Sequence, residues 1–403
     1  MPSSTTNTRN TPRRLLLLTT LLATTSALAT PPPPPPCPCG YTINSTTTSP
    51  HHHHALFTQA LESDFLHMHN LSTDHIWMPQ ACNVTPALAR GPYGKASRVE
   101  NVVPNPVLRG WDWGGEGVRG GDPGLELWVR GELVESEEGD GSGSGSGGRM
   151  VGMSEIVTSR MDVLYGSWRV GMKVTGVGGT CGAFFFYVDD EREIDFEFLS
   201  RQQLERSAGG GGVVNLVLQS PESAQQGYVD PGSADFSLQD LSFQPQEGYH
   251  EYRFDWLPDR VDFYADGVLL RTMRDNVPNK AGKTHLSHWS NGNEGWSGGP
   301  PEQDAVMVVS YVKGYFNSSE GGEMGVCEEG GRVCEVPDQT VAPEVRGNEG
   351  NRTGRTMFFG NESVISGTVN EPKKGEGGGV LGGRGVVGCG LLSVVGFLFF
   401  EVW

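Results

Sequence analysis

Residues 191–200 read EREIDFEFLS, with Glu193, Asp195 and Glu197 at every second position and Ile194, Phe196 and Phe198 interleaved. Successive side chains of a strand point to opposite faces, so the three acids share one face and the three apolar residues the other. Carboxylates within reach of each other disfavour joint ionisation. A solvated edge strand would carry such a row at little cost. The flanking FFFYV and the FEFL inside the motif mark a central strand instead. Acids whose protonation is perturbed by their surroundings cluster at active sites, and the row reads as one.

The chemistry that needs such a set is glycoside cleavage with retention. One carboxylate attacks the anomeric carbon, and a second, kept protonated by its environment, gives its proton to the leaving oxygen. Four residues of strand span about 13 Å between Cα atoms, whereas a retaining pair stands about 5–5.5 Å apart at the carboxyls. Two glutamates leaning toward each other over a curved sheet close much of that gap. The middle acid, Asp195, is placed to hydrogen-bond one of them and tune it.

Strand after strand surrounds the motif: LELWVR (125–130), SEIVTS (154–159), GSWRVGMKV (166–174), AFFFYV (183–188), VVNLVLQ (213–219), YHEYRFDW (249–256), RVDFYAD (260–266), VLLRTM (268–273) and AVMVVSYVKGYF (305–316). Alternation is clear in Tyr252, Phe254, Trp256 and in Val261, Phe263, and Asp266-Gly267 is a hairpin signal. No long stretch has helical periodicity, and no repeat of fixed period is visible. The pattern predicts an all-β fold, a two-sheet antiparallel sandwich. Gly/Ser runs at 137–148 and from Ala208 read as loops.

These segments resemble glycoside hydrolase family 16. EIDFEFLS resembles that family's E-[ILV]-D-x-E signature. YGSWRVGMKV, GTCGAFFFYVDD and YHEYRFDWLPDRVDFYADG look like its strands in the expected order, and SHWSNGNEGWSGGPPEQDAVMVVSYVKGYFN like the closing segment of secreted fungal members. The resemblance runs from Leu56 to Asn317 and implies a concanavalin-like β-jelly roll with a concave substrate cleft, in a catalytic domain over 55–317. It implies Glu193 as nucleophile, Asp195 as auxiliary acid and Glu197 as general acid/base. The motif lacks the extra residue that makes a bulge in the laminarinase-type branch. It is similar to the unbulged form of lichenase-type enzymes, plant xyloglucan-acting enzymes and fungal wall transglycosylases. The implied function is a retaining endo-acting β-glucan hydrolase, with wall transglycosylation by the same acids as the alternative. A non-catalytic lectin-like module has no need for paired acids. The implied partner is a β-glucan polysaccharide. The reaction requires no cofactor; the sequence leaves structural calcium open and offers no metal-ligand set.

Sugars present apolar CH faces on which aromatic rings stack. Trp289 and Trp296 lie amid polar residues in HLSHWSNGNEGWSGG and are candidate platforms, Trp296 the better of the two because it sits in a Gly/Ser/Pro loop. His288, Tyr187 and Trp113 are further substrate-binding candidates, each with a structural role as the competing reading.

The net charge of −18 and a pI near 5.0 exclude nucleic acid as a partner and fit a neutral one. Residues 1–29 read as a secretory signal peptide, with basic residues, an apolar run and a closing Ala27-Leu28-Ala29. A Pro/Ser/Thr/His-rich segment follows over 30–54, and its four histidines read as an exposed loop. Sequons at Asn44, Asn70, Asn83, Asn317, Asn351 and Asn361 fit export. So do Cys37, Cys39, Cys82, Cys181, Cys327 and Cys334, with Cys327–Cys334 expected as one disulfide because they are close in sequence. Residues 318–385 read as a Gly/Glu-rich disordered linker. The tail 386–403 carries an apolar stretch too short to span a bilayer comfortably, preceded by small residues, which is the pattern of a lipid-anchor (GPI) signal. The expectation is a secreted monomer attached to the membrane or wall through that anchor.

Overall fold

The computed structural model describes residues 1, 37–43, 55–109, 115–135, 148–206, 210–320, 331–338, 356, 358–359 and 366–368. The chain divides into two units, Met1–Pro34 and Pro35–Trp403, and every strand below belongs to the second. In chain order the first strands are β1 (Tyr41–Ile43), β2 (Ala55–Phe57), β3 (Gln59–Asp64), β4 (Trp77–Pro79), β5 (Cys82–Val84), β6 (Gly94–Ser97), β7 (Val102–Asn105), β8 (Gly124–Val129) and β9 (Leu133–Glu135). Next come β10 (Arg149–Thr158), β11 (Val163–Lys173), β12 (Cys181–Asp189), β13 (Arg192–Leu199), β14 (Val213–Leu218) and β15 (Phe236–Asp240). The last are β16 (His250–Leu257), β17 (Arg260–Ala265), β18 (Val268–Met273), β19 (Lys283–Trp289), β20 (Ala305–Ser318), β21 (Cys334–Val336) and β22 (Ser366–Thr368).

Two large sheets face each other in a β-jelly roll. One runs β15-β14-β13-β12-β19-β10-β6-β5, with β4 and β9 also on β10; the other runs β18-β17-β16-β11-β20-β3-β22, with β8 on β20 and β7 on β8. Pairing is antiparallel throughout these sheets except between β10 and β6. Alternation decides what each face does. Phe184, Phe186, Ile194, Phe196, Phe198 and Leu286 of the first sheet meet Trp168, Val170, Met172, Tyr252, Phe254 and Trp256 of the second in one buried cluster. Each such side chain contributes about 1.5–3 kcal/mol by leaving water. The predicted alternation of β16 and β17 is borne out, and Asp266 (φ 46°) and Gly267 (φ 74°) form the two-residue turn joining β17 to β18.

A third layer covers the outer face of the second sheet. β1 pairs with β2 and, in parallel, with β21. Cys37 is disulfide-bonded to Cys334 across 297 residues of sequence. This corrects the Cys327–Cys334 expectation: the segment leading into β1 brings Cys37 beside Cys334 at the start of β21, so pairing follows proximity in space and not closeness in sequence. Cys39 and Cys82 are also disulfide-bonded, Cys181 is free and buried, and Cys327 lies outside the described residues.

The domain boundaries shift for the same reason. Segment 30–54 contributes β1, and 318–385, read as linker, contributes β21 and β22, the latter pairing with β3. Three-residue strands held by pairing and a disulfide leave no compositional trace. Beneath this layer Tyr315 donates to Glu62 (2.7 Å), Arg169 donates to the Pro337 carbonyl (2.7 Å), and Arg253 pairs with Asp255 and Asp338. The signal-peptide residues after Met1, the four histidines, the loop residues 137–147, the sequons at Asn44, Asn351 and Asn361, and the tail 386–403 lie outside the described residues. Asn70 and Asn83 are exposed. Among the described residues, no helix is long and apolar enough to cross a membrane.

Candidate active site

Uninterrupted register holds the acids. Along β12 and β13, Ala183 lies opposite Glu197, Phe185 opposite Asp195 and Tyr187 opposite Glu193, and the pairing slips only beyond Tyr187. On the other side Val217 and Asn215 of β14 face Asp195 and Glu197. The acid row therefore has no bulge, as its length in sequence implied. Because Ile194, Phe196 and Phe198 take the core face, Glu193, Asp195 and Glu197 share the opposite one, where they are only 5%, 5% and 7% exposed.

Burial of that order penalises charge, and it raises all three acids. Asp195 goes well above the usual carboxylate range through burial and then the charges of Glu193 and Glu197. Burial also lifts Glu193 well above the usual carboxylate range, and the Asp195–Glu193 hydrogen bond works against that rise while adding to the rise of Asp195, so of the two Asp195 is the better holder of a shared proton. Glu197 is pushed up to about 7 by burial, against hydrogen bonds from Trp296 and Cys181 and the charge of Lys95. The row thus holds two buried acids joined by a hydrogen bond, Glu193 and Asp195, and at the other end an acid poised near neutrality, Glu197.

Of the further residues singled out in the sequence, Tyr187 is half-buried on the acid face and donates to Asp190 at 2.8 Å. His288 is corrected. It is fully buried on the core face, contacting the Leu127 carbonyl at 2.8 Å and Thr180 Oγ1 at 3.0 Å, and burial lowers it to about 4. Neighbouring residues of a strand cannot share a face, and here Trp289 takes the acid side through its pairing with Cys181. The expectation of exposed tryptophans is corrected too. Trp289 and Trp296 are 2% and 1% exposed, packed with Cys181, Leu199 and Val217. The 294–297 turn folds back on the acid face, and the Trp296 side chain hydrogen-bonds Glu197 instead of offering an open platform. Trp113 lies outside the described residues.

Four residues on this face escaped the sequence reading. Glu155 Oε1 of β10 lies in hydrogen-bond contact with His285 Nδ1 of β19 at 2.8 Å, and His285 stacks on Phe185 with centroids 4.7 Å apart. Cys181 Sγ lies 3.7 Å from Glu197 Oε1. Lys95 of β6 is buried with its ammonium 5.1 Å from the centre of the Trp289 ring. Period-two reading of SEIVTS, with Ile156 in the core, would have put Glu155 on the acid face; the four-residue strand of Lys95 gives no such signal.

Residues 113–311 match the family described as Glycosyl hydrolases family 16. The chain carries a family 16 glycosyl hydrolase domain. Among characterised proteins, it is 29% identical over 141 residues to a beta-glucanase of Paenibacillus macerans, covering 33% of this chain and 52% of the relative. It is 25% identical over 179 residues to the Crh-like protein UTR2 of Candida albicans, covering 40% of this chain and 34% of the relative. The chain thus spans about half the length, or less, of the curated relatives it matches. Among solved structures, a lichenase from a mouse hindgut metagenome matches at 18% identity and a TM-score of 0.44, over 64% of this chain and 99% of that one. A Crh5 transglycosylase matches at 19% identity and a TM-score of 0.39, over 64% and 84%. The family 16 domain includes every strand that bears the acid row and its neighbours β12, β14 and β19.

Proposed function

We propose that the protein is a retaining, endo-acting β-glucan hydrolase. The observation that carries this reading is the row of three buried acids on one strand face, with Asp195 hydrogen-bonded to Glu193 and Glu197 raised to about 7. Glu193 attacks the anomeric carbon while Glu197 gives its proton to the departing glycosidic oxygen, leaving a glycosyl–Glu193 ester. Glu197, now ionised, takes a proton from the incoming water as its oxygen attacks the anomeric carbon. Glu193 is released as carboxylate and the configuration is retained. Asp195 supports Glu193 by donating to it. Tyr187 lies on the substrate side of the row, beside Glu193. The reaction uses no cofactor.

A second reading uses the same acids, with a sugar hydroxyl in place of water. The dry surroundings of Glu197, lined by Trp296, Trp289 and Leu199, favour it, since they restrict water at the step where an acceptor is chosen. Export by the N-terminal leader and attachment through the C-terminal tail would place either reaction at the cell's own wall. The test is incubation of the full-length protein with β-1,3-, β-1,4- and mixed-linkage glucans, with oligosaccharide products analysed. Shortened oligosaccharides alone mean hydrolysis, and products longer than the donor mean transfer. An unchanged substrate across the whole panel would reject both.

A further inference from the structure

Lys95 stands outside the mechanism so far and, among the described residues, is the cation whose charge acts on Glu193 and Glu197. It is 2% exposed on β6, where it pairs with Val151 of β10 and Val84 of β5. Val151, Met153 and Glu155 share one face of β10 by alternation, and paired residues share a face, so Lys95 looks onto the acids. Its ammonium lies over Trp289, 5.1 Å from the ring centre. Trp289 is paired with Cys181, whose thiol reaches Glu197.

The charged and titratable groups acting on Lys95 come from three strands: Glu155 on β10, Cys181 on β12, and Glu193 and Glu197 on β13. Glu155 is also held by His285 on β19. Beside Glu193 stand Asp190, Asp195 and Tyr187. A lone ammonium buried among carboxylates is stable only through them, and they in turn ionise more readily because of it.

The geometry points to Lys95 as the positioning residue whose cation draws Glu193 toward the ionised form that attack requires, against the burial that holds it protonated. This rests on the hydrolase or transferase reading for its catalytic consequence, but the charge placement is a property of the free protein. Burial lowers the Lys95 ammonium to about 8, against the upward pull of Glu155, Glu193 and Glu197. Below that pH the cation is present. Above it Glu193 loses its counter-charge, at the same time as Glu197 has lost its proton.

The experiment compares wild type with Lys95→Met, which keeps the stem and ring contact, and Lys95→Arg, which keeps the charge. Carboxyl groups labelled with ¹³C are titrated by NMR in the free protein, and kcat/KM is measured against pH on whichever glucan the wild type cleaves. In Lys95→Met the Glu193 ionisation and the acid limb of kcat/KM should move up by about one pH unit or more, the scale of losing a neighbouring opposite charge. Lys95→Arg should leave both near wild type. An unmoved Glu193 titration in folded Lys95→Met, or an equal shift in Lys95→Arg, would overturn the assignment. If the wild type cleaves no glucan, the functional reading fails while the carboxyl titration still decides this one. Should Lys95→Met not fold, ¹⁵N titration of the wild-type Lys95 ammonium decides: deprotonation near pH 8 in step with a Glu193 change supports the pairing, and an ammonium that titrates with no response from Glu193 refutes it.

Discussion

Cys181 Sγ stands 3.7 Å from Glu197 Oε1, so a thiol donates to the acid that the mechanism needs protonated. That hydrogen bond favours the charged form of Glu197 and lowers it from where burial alone would leave it. Cys181→Ala should therefore raise Glu197 and move the alkaline limb of kcat/KM to higher pH, whereas Cys181→Ser, which keeps a donor, should move it less. A pH–rate profile on one glucan checks the order. An alkaline limb that falls to lower pH in Cys181→Ala would show that the thiol acts otherwise.

Glu193 and Glu197 have different tasks, and substitution should separate them. Glu193→Gln removes the nucleophile, and turnover should fall by at least about four orders of magnitude on every substrate. Glu197→Gln should lose as much on polymer but retain measurable activity on aryl glycosides whose leaving group needs no proton. The first product of the wild type should be the β-anomer, as retention requires. NMR of the initial anomer and steady-state kinetics of both variants decide; an α-anomer would remove Glu193 from its role.

Alternation made much of this site legible in the sequence. EIDFEFL fixes which side chains of β13 face the acids and which the core, and the same rule puts Glu155 beside them. The rule also states that His288 and Trp289 cannot both face the substrate. Which of them does depends on register with β12, where Gly182 lies opposite His288 and Cys181 opposite Trp289. Register between distant strands is a tertiary fact. The burial of Trp296 depends on a turn folding back, and the approach of Lys95 on a parallel pairing of β6 with β10, neither of which has a local pattern. The third layer was illegible for a related reason: its strands are three residues long and draw their stability from the disulfide and from partners far away in sequence.

The raised Glu197 also makes stability depend on pH. Its carboxyl moves from an ordinary 4.5 to about 7 in the folded state, so the native protein holds a proton that the unfolded chain releases between those values. Stability from this group is fully present below about pH 4.5 and is lost as pH rises through 7. With about 1.4 kcal/mol per unit, the loss is on the order of 3 kcal/mol. Glu197→Gln carries no such proton and should be more stable than wild type at pH 8 by about that amount, with the gap closing toward pH 4. Urea unfolding midpoints at the two pH values measure it. Parallel pH dependences in variant and wild type would mean that Glu197 titrates normally.

On the far face, Arg253 is 2% exposed and Asp255 is fully buried, and the guanidinium donates to Asp255 through both Nε, at 2.7 Å, and Nη2. Ser167 donates to the same carboxylate at 2.6 Å. Removing one partner of a buried pair leaves the other charge without compensation, which costs about 3–5 kcal/mol, whereas replacing both by apolar groups is often close to neutral. Arg253→Met should therefore destabilise strongly even though Ser167 remains, because a neutral hydroxyl cannot balance the carboxylate. Arg253→Met combined with Asp255→Leu should recover most of that loss, giving a large coupling in a double-mutant cycle. Asp338, the second partner of Arg253, is 25% exposed, and its removal should cost about 1 kcal/mol or less because water replaces it. Guanidinium unfolding of the single and double variants, with disulfides intact, tests the ranking. Additive losses in the double variant would mean that Arg253 stabilises through its packing over the Tyr264 ring, 4.3 Å from the guanidinium carbon, and not through its charge.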